Sequence, residues 1–150
     1  MQNPHHANAE GVTVPIIPLQ KLNLPFFQSV SAGFPSPADD FIERTLDLNE
    51  HLITSPSTTF FVRVEGFSMQ GAGIYEDDIL IVDRSREVRN KDVIIAFVNS
   101  EFTVKRYVIQ KGKHYLKPEN PSFSTIEVSK YDDFQIWGVV ISVIHTPYEL

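Results

Sequence analysis

The chain contains no cysteine, which excludes disulfides, thiolate-held metals and a cysteine nucleophile together. It also lacks any apolar run near the roughly 18–20 residues that span a bilayer. Its start, Met1-Gln-Asn-Pro-His-His6, does not have the basic-then-apolar layout of a secretory signal. Both absences point to a cytoplasmic protein. A basic surplus is missing too: 13 Lys and Arg stand against 19 Asp and Glu, a formal net charge of −6. Duplex-binding domains draw much of their affinity from a basic face that neutralises phosphates. The densest basic group here, Lys111, Lys113 and Lys117 near Lys105 and Arg106, is modest. Direct DNA binding is therefore not expected, and a part in any DNA transaction would pass through protein partners.

What the chain does have is bulky apolar material. It is 42% hydrophobic, with eleven Phe and five Tyr in 150 residues, enough for one compact domain carrying a loose arm. Residues 1–11 are polar and without a hydrophobic period, as a disordered tail would be. His5 and His6 have no third ligand nearby, so neither a metal nor another cofactor is expected. Six of the ten prolines (Pro4, Pro15, Pro18, Pro25, Pro35 and Pro37) precede residue 38. They are interleaved with Ile16, Ile17, Leu19, Leu24, Phe26 and Phe27. Proline blocks helix interiors and central strands, so this stretch is expected to be an extended arm lying against something apolar. A short helix follows over 48–54, with Asp47 as its N-cap and Glu50 completing a capping box; Ser55-Pro56-Ser57 ends it.

From Thr58 onward the pattern is β. Short runs rich in β-branched and aromatic residues predict strands over 59–64, 78–83, 92–98, 102–109, 114–117, 125–128 and 134–144. Turn residues such as Asn99-Ser100, Lys111-Gly112 and Glu119-Asn120-Pro121 punctuate them. This spacing implies a mainly β domain, a partial barrel or sandwich, rather than an α/β fold.

Three segments carry candidate chemistry. In Gly66-Phe67-Ser68-Met69 a serine sits at a strand-to-loop junction, where nearby backbone N–H groups could stabilise an oxyanion. In Phe102-Thr-Val-Lys-Arg-Tyr-Val-Ile109, strand alternation places Lys105 with Thr103, Tyr107 and Ile109, opposite Phe102, Val104, Arg106 and Val108. None of the five histidines stands in a triad context, so a neutral lysine is the available base for the serine. At the ordinary lysine pKa only about one in 2,500 is neutral at pH 7, a cost of about 4.6 kcal/mol. Burial lowers that pKa and recovers much of the cost, leaving a reaction that quickens as pH rises. The third segment, Ser31-Ala32-Gly33-Phe34-Pro35-Ser36-Pro37, offers a bond between small residues on a stiffened path. Each segment alone is more often structural, as a turn, a solvated lysine or a plain linker.

Their conjunction resembles the UmuD/LexA family of self-cleaving Ser–Lys peptidases. Ala32-Gly33 is followed 36 residues on by Gly-x-Ser-Met at Ser68, and 37 further on by Lys105 in Glu101-Phe-Thr-Val-Lys-Arg. The resemblance runs from about Leu22 to Ile144. It includes Leu46-Asp-Leu-Asn, Asp78-Ile-Leu-Ile-Val-Asp and Trp137-Gly-Val-Val-Ile. It implies that Ser68 is the nucleophile, Lys105 the general base and Ala32–Gly33 the scissile bond. The Ser68 backbone N–H and an unassigned neighbour would form the oxyanion hole. The implied fold is the family's β-rich catalytic domain with an extended N-terminal arm: 1–32 removed on cleavage, 33–57 a linker and short helix, 58–150 the peptidase. The implied partners are a second copy of the chain, a RecA–single-stranded DNA filament that favours the cleavable conformation, and a UmuC-like Y-family polymerase used in SOS mutagenesis.

Two departures stand out. Ala32 replaces a cysteine common in UmuD-like members, and Phe67 an aspartate beside the serine; Ala-Gly is the pair that the family's repressors use. Those repressors carry a helix-turn-helix domain before the bond, and none is expected in the 32 proline-rich residues here. The segment Leu22-Asn-Leu-Pro-Phe-Phe27 also resembles a sliding-clamp motif, with Leu24, Phe26 and Phe27 as its contacts; packing on the chain's own domain is equally open. Two rival readings are a non-catalytic accessory subunit whose arm stays attached, and a signal-peptidase-like Ser–Lys enzyme, which would need a membrane anchor.

Overall fold

A computed structural model describes Leu22, 24–27, Ala32 and 42–147, and of 27 and 42–44 only the backbone. The chain falls into two contact units, Met1–Asp47 and Leu48–Leu150. In the first, strand β1 (Leu24–Phe27) pairs antiparallel with β2 (Ile42–Leu46), from Leu24 opposite Leu46 to Phe27 opposite Ile42. The sequence predicts that the proline-rich stretch is extended, and β1 is; it predicts neither the pairing nor β2. Pro25 has no N–H to donate, a loss that an edge strand, as β1 is among the described residues, accommodates.

The second unit opens with helix α1 (Leu48–Leu52), two residues shorter than the predicted 48–54, and a 3-10 turn at Pro56–Thr58. Seven strands follow: β3 (Thr59–Arg63), β4 (Ile79–Asp83), β5 (Val93–Val98), β6 (Glu101–Gln110), β7 (Lys113–Lys117), β8 (Ile126–Glu127) and β9 (Gln135–Ile144). They form one antiparallel sheet in the order β3-β4-β9-β5-β6-β7-β8, so the mainly β expectation holds. No helix among the described residues is long and apolar enough to cross a membrane.

Both faces of β5 are covered, which explains its near-continuous apolar run. Val93 and Ile95 join a cluster around Leu80, Val82 and Met69, while Ile94 and Ala96 join another around Leu116, Val139 and Tyr107. The central strand β9 carries two bulges. Ile141 is skipped between the partners of Ile81 and Val82, and Trp137 between those of Ile95 and Ala96. Each extra residue increases local twist and bends the strand. At Gly138, between the bulges, an added Cβ would lie 2.6 Å from a Val82 methyl, so only glycine permits the close approach of β9 to β4.

Turn chemistry sets the register of β6. Its hairpin to β5 closes through Asn99 and Ser100, with φ of 52° and 62°, and its hairpin to β7 through Lys111 and Gly112, at 50° and 74°. Paired left-handed residues match the right-handed twist of the flanking strands. Asp133 reinforces the first turn, accepting the N–H groups of Asn99 (2.9 Å) and Ser100 (2.7 Å). With both ends fixed this way, a one-residue slip of β6 is opposed from either side.

Candidate active site

Lys105 lies where two ladders meet: β6 pairs with β5 from Glu101 to Arg106 and with β7 from Arg106 to Gln110. Ser68 lies beyond the end of β3, an edge strand. The chain leaves β3 through Val64, Glu65 and Gly66, whose φ of +85° belongs to glycine. Ser68, Met69 and a 3-10 turn at Gln70–Ala72 follow. Three strands separate β3 from β6 in the sheet, yet Lys105 Nζ stands 3.0 Å from Ser68 Oγ. The sheet must therefore curl until its first and fifth strands approach. The two groups line a cleft of about 250 Å³, with 62–66 on one side, Phe102–Lys105 on the other, and Met69 and Ile95 among its apolar lining.

Lys105 Nζ has three partners: Ser68 Oγ, Thr103 Oγ1 at 2.8 Å and the Val104 carbonyl at 2.9 Å. An ammonium would donate to all three. A neutral amine has two N–H groups and one lone pair. Thr103 and Val104 can take both N–H groups, leaving the lone pair to accept the Ser68 hydroxyl proton. Burial holds the Lys105 pKa below its ordinary value, because desolvation penalises the charged form. Among the described residues no carboxylate pairs with Lys105, so nothing offsets that penalty with opposite charge. The arrangement can deprotonate an alcohol and return the proton to a leaving group.

The backbone N–H groups of 65–69, Ser68 and Met69 included, have no acceptor among the described residues. Val64 N–H donates to the Asp78 carbonyl (2.8 Å), the Val64 carbonyl accepts from Asp77 N–H (2.9 Å), and the Thr58 carbonyl accepts from Arg84 N–H. The even-numbered residues of β3 thus bond to β4, and Phe61, Arg63 and Glu65 present their backbone groups to the opposite edge, which has no partner strand among the described residues. That edge runs along the cleft toward Ser68.

Two histidines are occupied elsewhere, and His51 is exposed on α1. His114 is hydrogen-bonded to the buried Tyr107 hydroxyl, and His145 lies 2.6 Å from the buried Asp78 carboxylate. His5 and His6 lie outside the described residues. So does Gly33, while Ala32 is an exposed residue in a bend. Of the clamp-like residues, Leu24 is exposed and Phe26 half-buried, both within β1, and Phe27 ends that strand. Sequence reasoning missed Glu119 and Asn120, which grip the Ser68 loop: Glu119 N–H donates to Ser68 O at 2.8 Å, and Asn120 Nδ2 to Phe67 O at 2.9 Å. In sequence they read only as a turn, because their partners lie some fifty residues away.

Comparison with known proteins gives concordant matches. The model of the family described as Peptidase S24-like matches residues 25–141. Protein ImpA of Salmonella typhimurium is 42% identical over 127 residues, covering 83% of this chain and 85% of that protein. Protein SamA of Salmonella typhimurium is 41% identical over 128 residues, covering 85% and 89%. The LexA repressor of Bordetella parapertussis is 40% identical over 128 residues, covering 85% of this chain and 59% of the repressor.

Proposed function

The chain belongs to the Peptidase S24-like family of self-cleaving serine peptidases, and on that premise we propose that Ser68 and Lys105 are the catalytic pair that cuts the Ala32–Gly33 bond. The observation that carries this reading is the 3.0 Å separation of Lys105 Nζ from Ser68 Oγ, across three intervening strands.

In this mechanism neutral Lys105 takes the Ser68 proton as Oγ attacks the Ala32 carbonyl carbon. The developing oxyanion is met by the Ser68 N–H and a neighbouring amide, both free of other acceptors among the described residues. The tetrahedral species collapses to an Ala32 ester on Ser68 as the Gly33 amine leaves with the proton from the Lys105 ammonium. Water, deprotonated by the same lysine, then hydrolyses the ester. Small residues at the bond suit a cleft this size, and the open edge of β3 offers an extended segment a row of backbone partners.

The products would be an arm of 1–32 and a body from Gly33, comprising the linker and short helix of 33–57 and the peptidase of 58–150. The motif resemblance extends the proposal: cleavage belongs to the SOS response to DNA damage and is stimulated by a RecA–single-stranded DNA filament. A ligand of this kind acts by favouring the cleavable conformation, not by supplying chemistry. The trimmed chain, as a homodimer in the cytoplasm, would serve a UmuC-like Y-family polymerase in translesion synthesis, and Leu24, Phe26 and Phe27 would contact the sliding clamp.

The test is incubation of the full chain near pH 10, alone and with activated RecA. The wild type is expected to release a fragment ending at Ala32, and Ser68→Ala and Lys105→Ala to release none, a loss of at least about 10⁴-fold. Equal cutting in Ser68→Ala would sink the proposal.

A further inference from the structure

A base on a doubly paired strand and a nucleophile on a loop beyond an edge strand need something to keep them in register. The residue after Lys105 provides a connection. Arg106 Nε donates to the Glu119 carboxylate, and its Nη1 to the Lys91 carbonyl at 2.6 Å. Glu119 in turn holds the Ser68 loop through its own backbone: its N–H donates to Ser68 O (2.8 Å) and its carbonyl accepts from Gly71 N–H (2.7 Å). Asn120 adds a third bond, to Phe67 O. The approach is so close that a Cβ on Gly71 would lie 2.6 Å from Glu119 O.

We infer that Arg106 and Glu119 are positioning residues for self-cleavage, a strut that ties the Ser68 loop to the strand bearing Lys105. The inference rests on the reading of Ser68 and Lys105 as the catalytic pair. Two observations separate this role from general stabilisation. The side chains are 28% and 27% exposed, where an ion pair contributes little to folding. The bonds it supports fall on the residues flanking the Ser68 side chain and on Ser68 itself, not on the core. Misplacing reacting groups by about 1 Å costs up to about 100-fold in rate, so a strut of small thermodynamic weight can have a large kinetic one.

The test measures alkaline self-cleavage of the full chain. Arg106→Met and Glu119→Gln are each expected to slow it about 10- to 100-fold, with the thermal midpoint and the pH of half-maximal rate unmoved. Arg106→Glu combined with Glu119→Arg should recover most of the loss. The inference is overturned if the single variants cleave at the wild-type rate, if slowing tracks a loss of folded protein, if the pH midpoint moves, or if the double variant is no faster than the singles. Any of these leaves the catalytic reading intact. Cutting in Ser68→Ala would instead remove that reading.

Discussion

Lys105 and Ser68 face each other at hydrogen-bond distance, but the chain holds them by different means. Lys105 is placed by register: two-residue turns at both ends of β6 and ladders on both edges leave its position little freedom. Ser68 is placed by exceptions to regular structure: a left-handed glycine at 66, a short 3-10 turn, and a few bonds to a loop that returns after β7. The Lys105 side is redundant, since losing one ladder bond leaves many. The Ser68 side is not. Loop substitutions should therefore harm catalysis more than folding, and substitutions at Lys105 should expose a conflict between the two.

The largest effect short of removing the pair is expected at Gly71. A methyl group there meets the Glu119 carbonyl, a backbone atom that cannot rotate away. Gly71→Ala should slow alkaline self-cleavage about 100-fold while the far-ultraviolet spectrum stays that of the folded sheet. Wild-type cleavage in this variant would mean that the Glu119 contact does not set the position of Ser68, and the contrast between the two sides would fail.

The next effect concerns pH. With the Lys105 pKa lowered by burial, self-cleavage should rise about tenfold per pH unit and level off before about pH 10.4, where an ordinary lysine is half neutral. A rate still climbing steeply above that pH would show that the cleft does not perturb the lysine. Initial rates across buffers from pH 7 to 11 decide the matter.

The smallest effect is on stability. A lysine whose folded pKa lies below its unfolded one is disfavoured while charged in both states. Its contribution is unfavourable below the folded pKa and disappears as pH rises through the window to the unfolded value near 10.4. Lys105→Met should therefore raise the thermal midpoint at neutral pH by about 1–3 °C, the scale of a relieved buried charge in a chain this size. That gain should vanish near pH 11, while cleavage is lost at every pH. A lower midpoint at neutral pH would show that the three hydrogen bonds of Nζ outweigh its desolvation.

Much of the fold was legible in order. The β-branched and aromatic runs marked all seven strands of the large sheet to within a residue or two, most densely in β4 and β5, which are buried on both faces. Asn99-Ser100 and Lys111-Gly112 marked the turns that adopt left-handed backbone. The β1–β2 pair was not legible: Pro25 argues against a strand, and Ile-Glu-Arg-Thr-Leu at 42–46 is too short and polar to stand out. The bulges at Trp137 and Ile141 left no trace in composition, since a bulge is defined only by what lies opposite it.

For the site, the sequence by itself determined the candidates: a serine after a glycine, a lysine in a strand, a bond between small residues, and an order and spacing that point to one family. Those are properties of residue type and separation along the chain. Tertiary structure alone decided that Ser68 and Lys105, 37 residues apart, meet in one cleft, that the lysine is desolvated, and that Glu119 and Arg106 link the two sides. Each of these depends on how far the sheet curls. Curl is the sum of strand twist, two bulges and the tight packing of Gly138 against β4, and it exists only when the strands are paired.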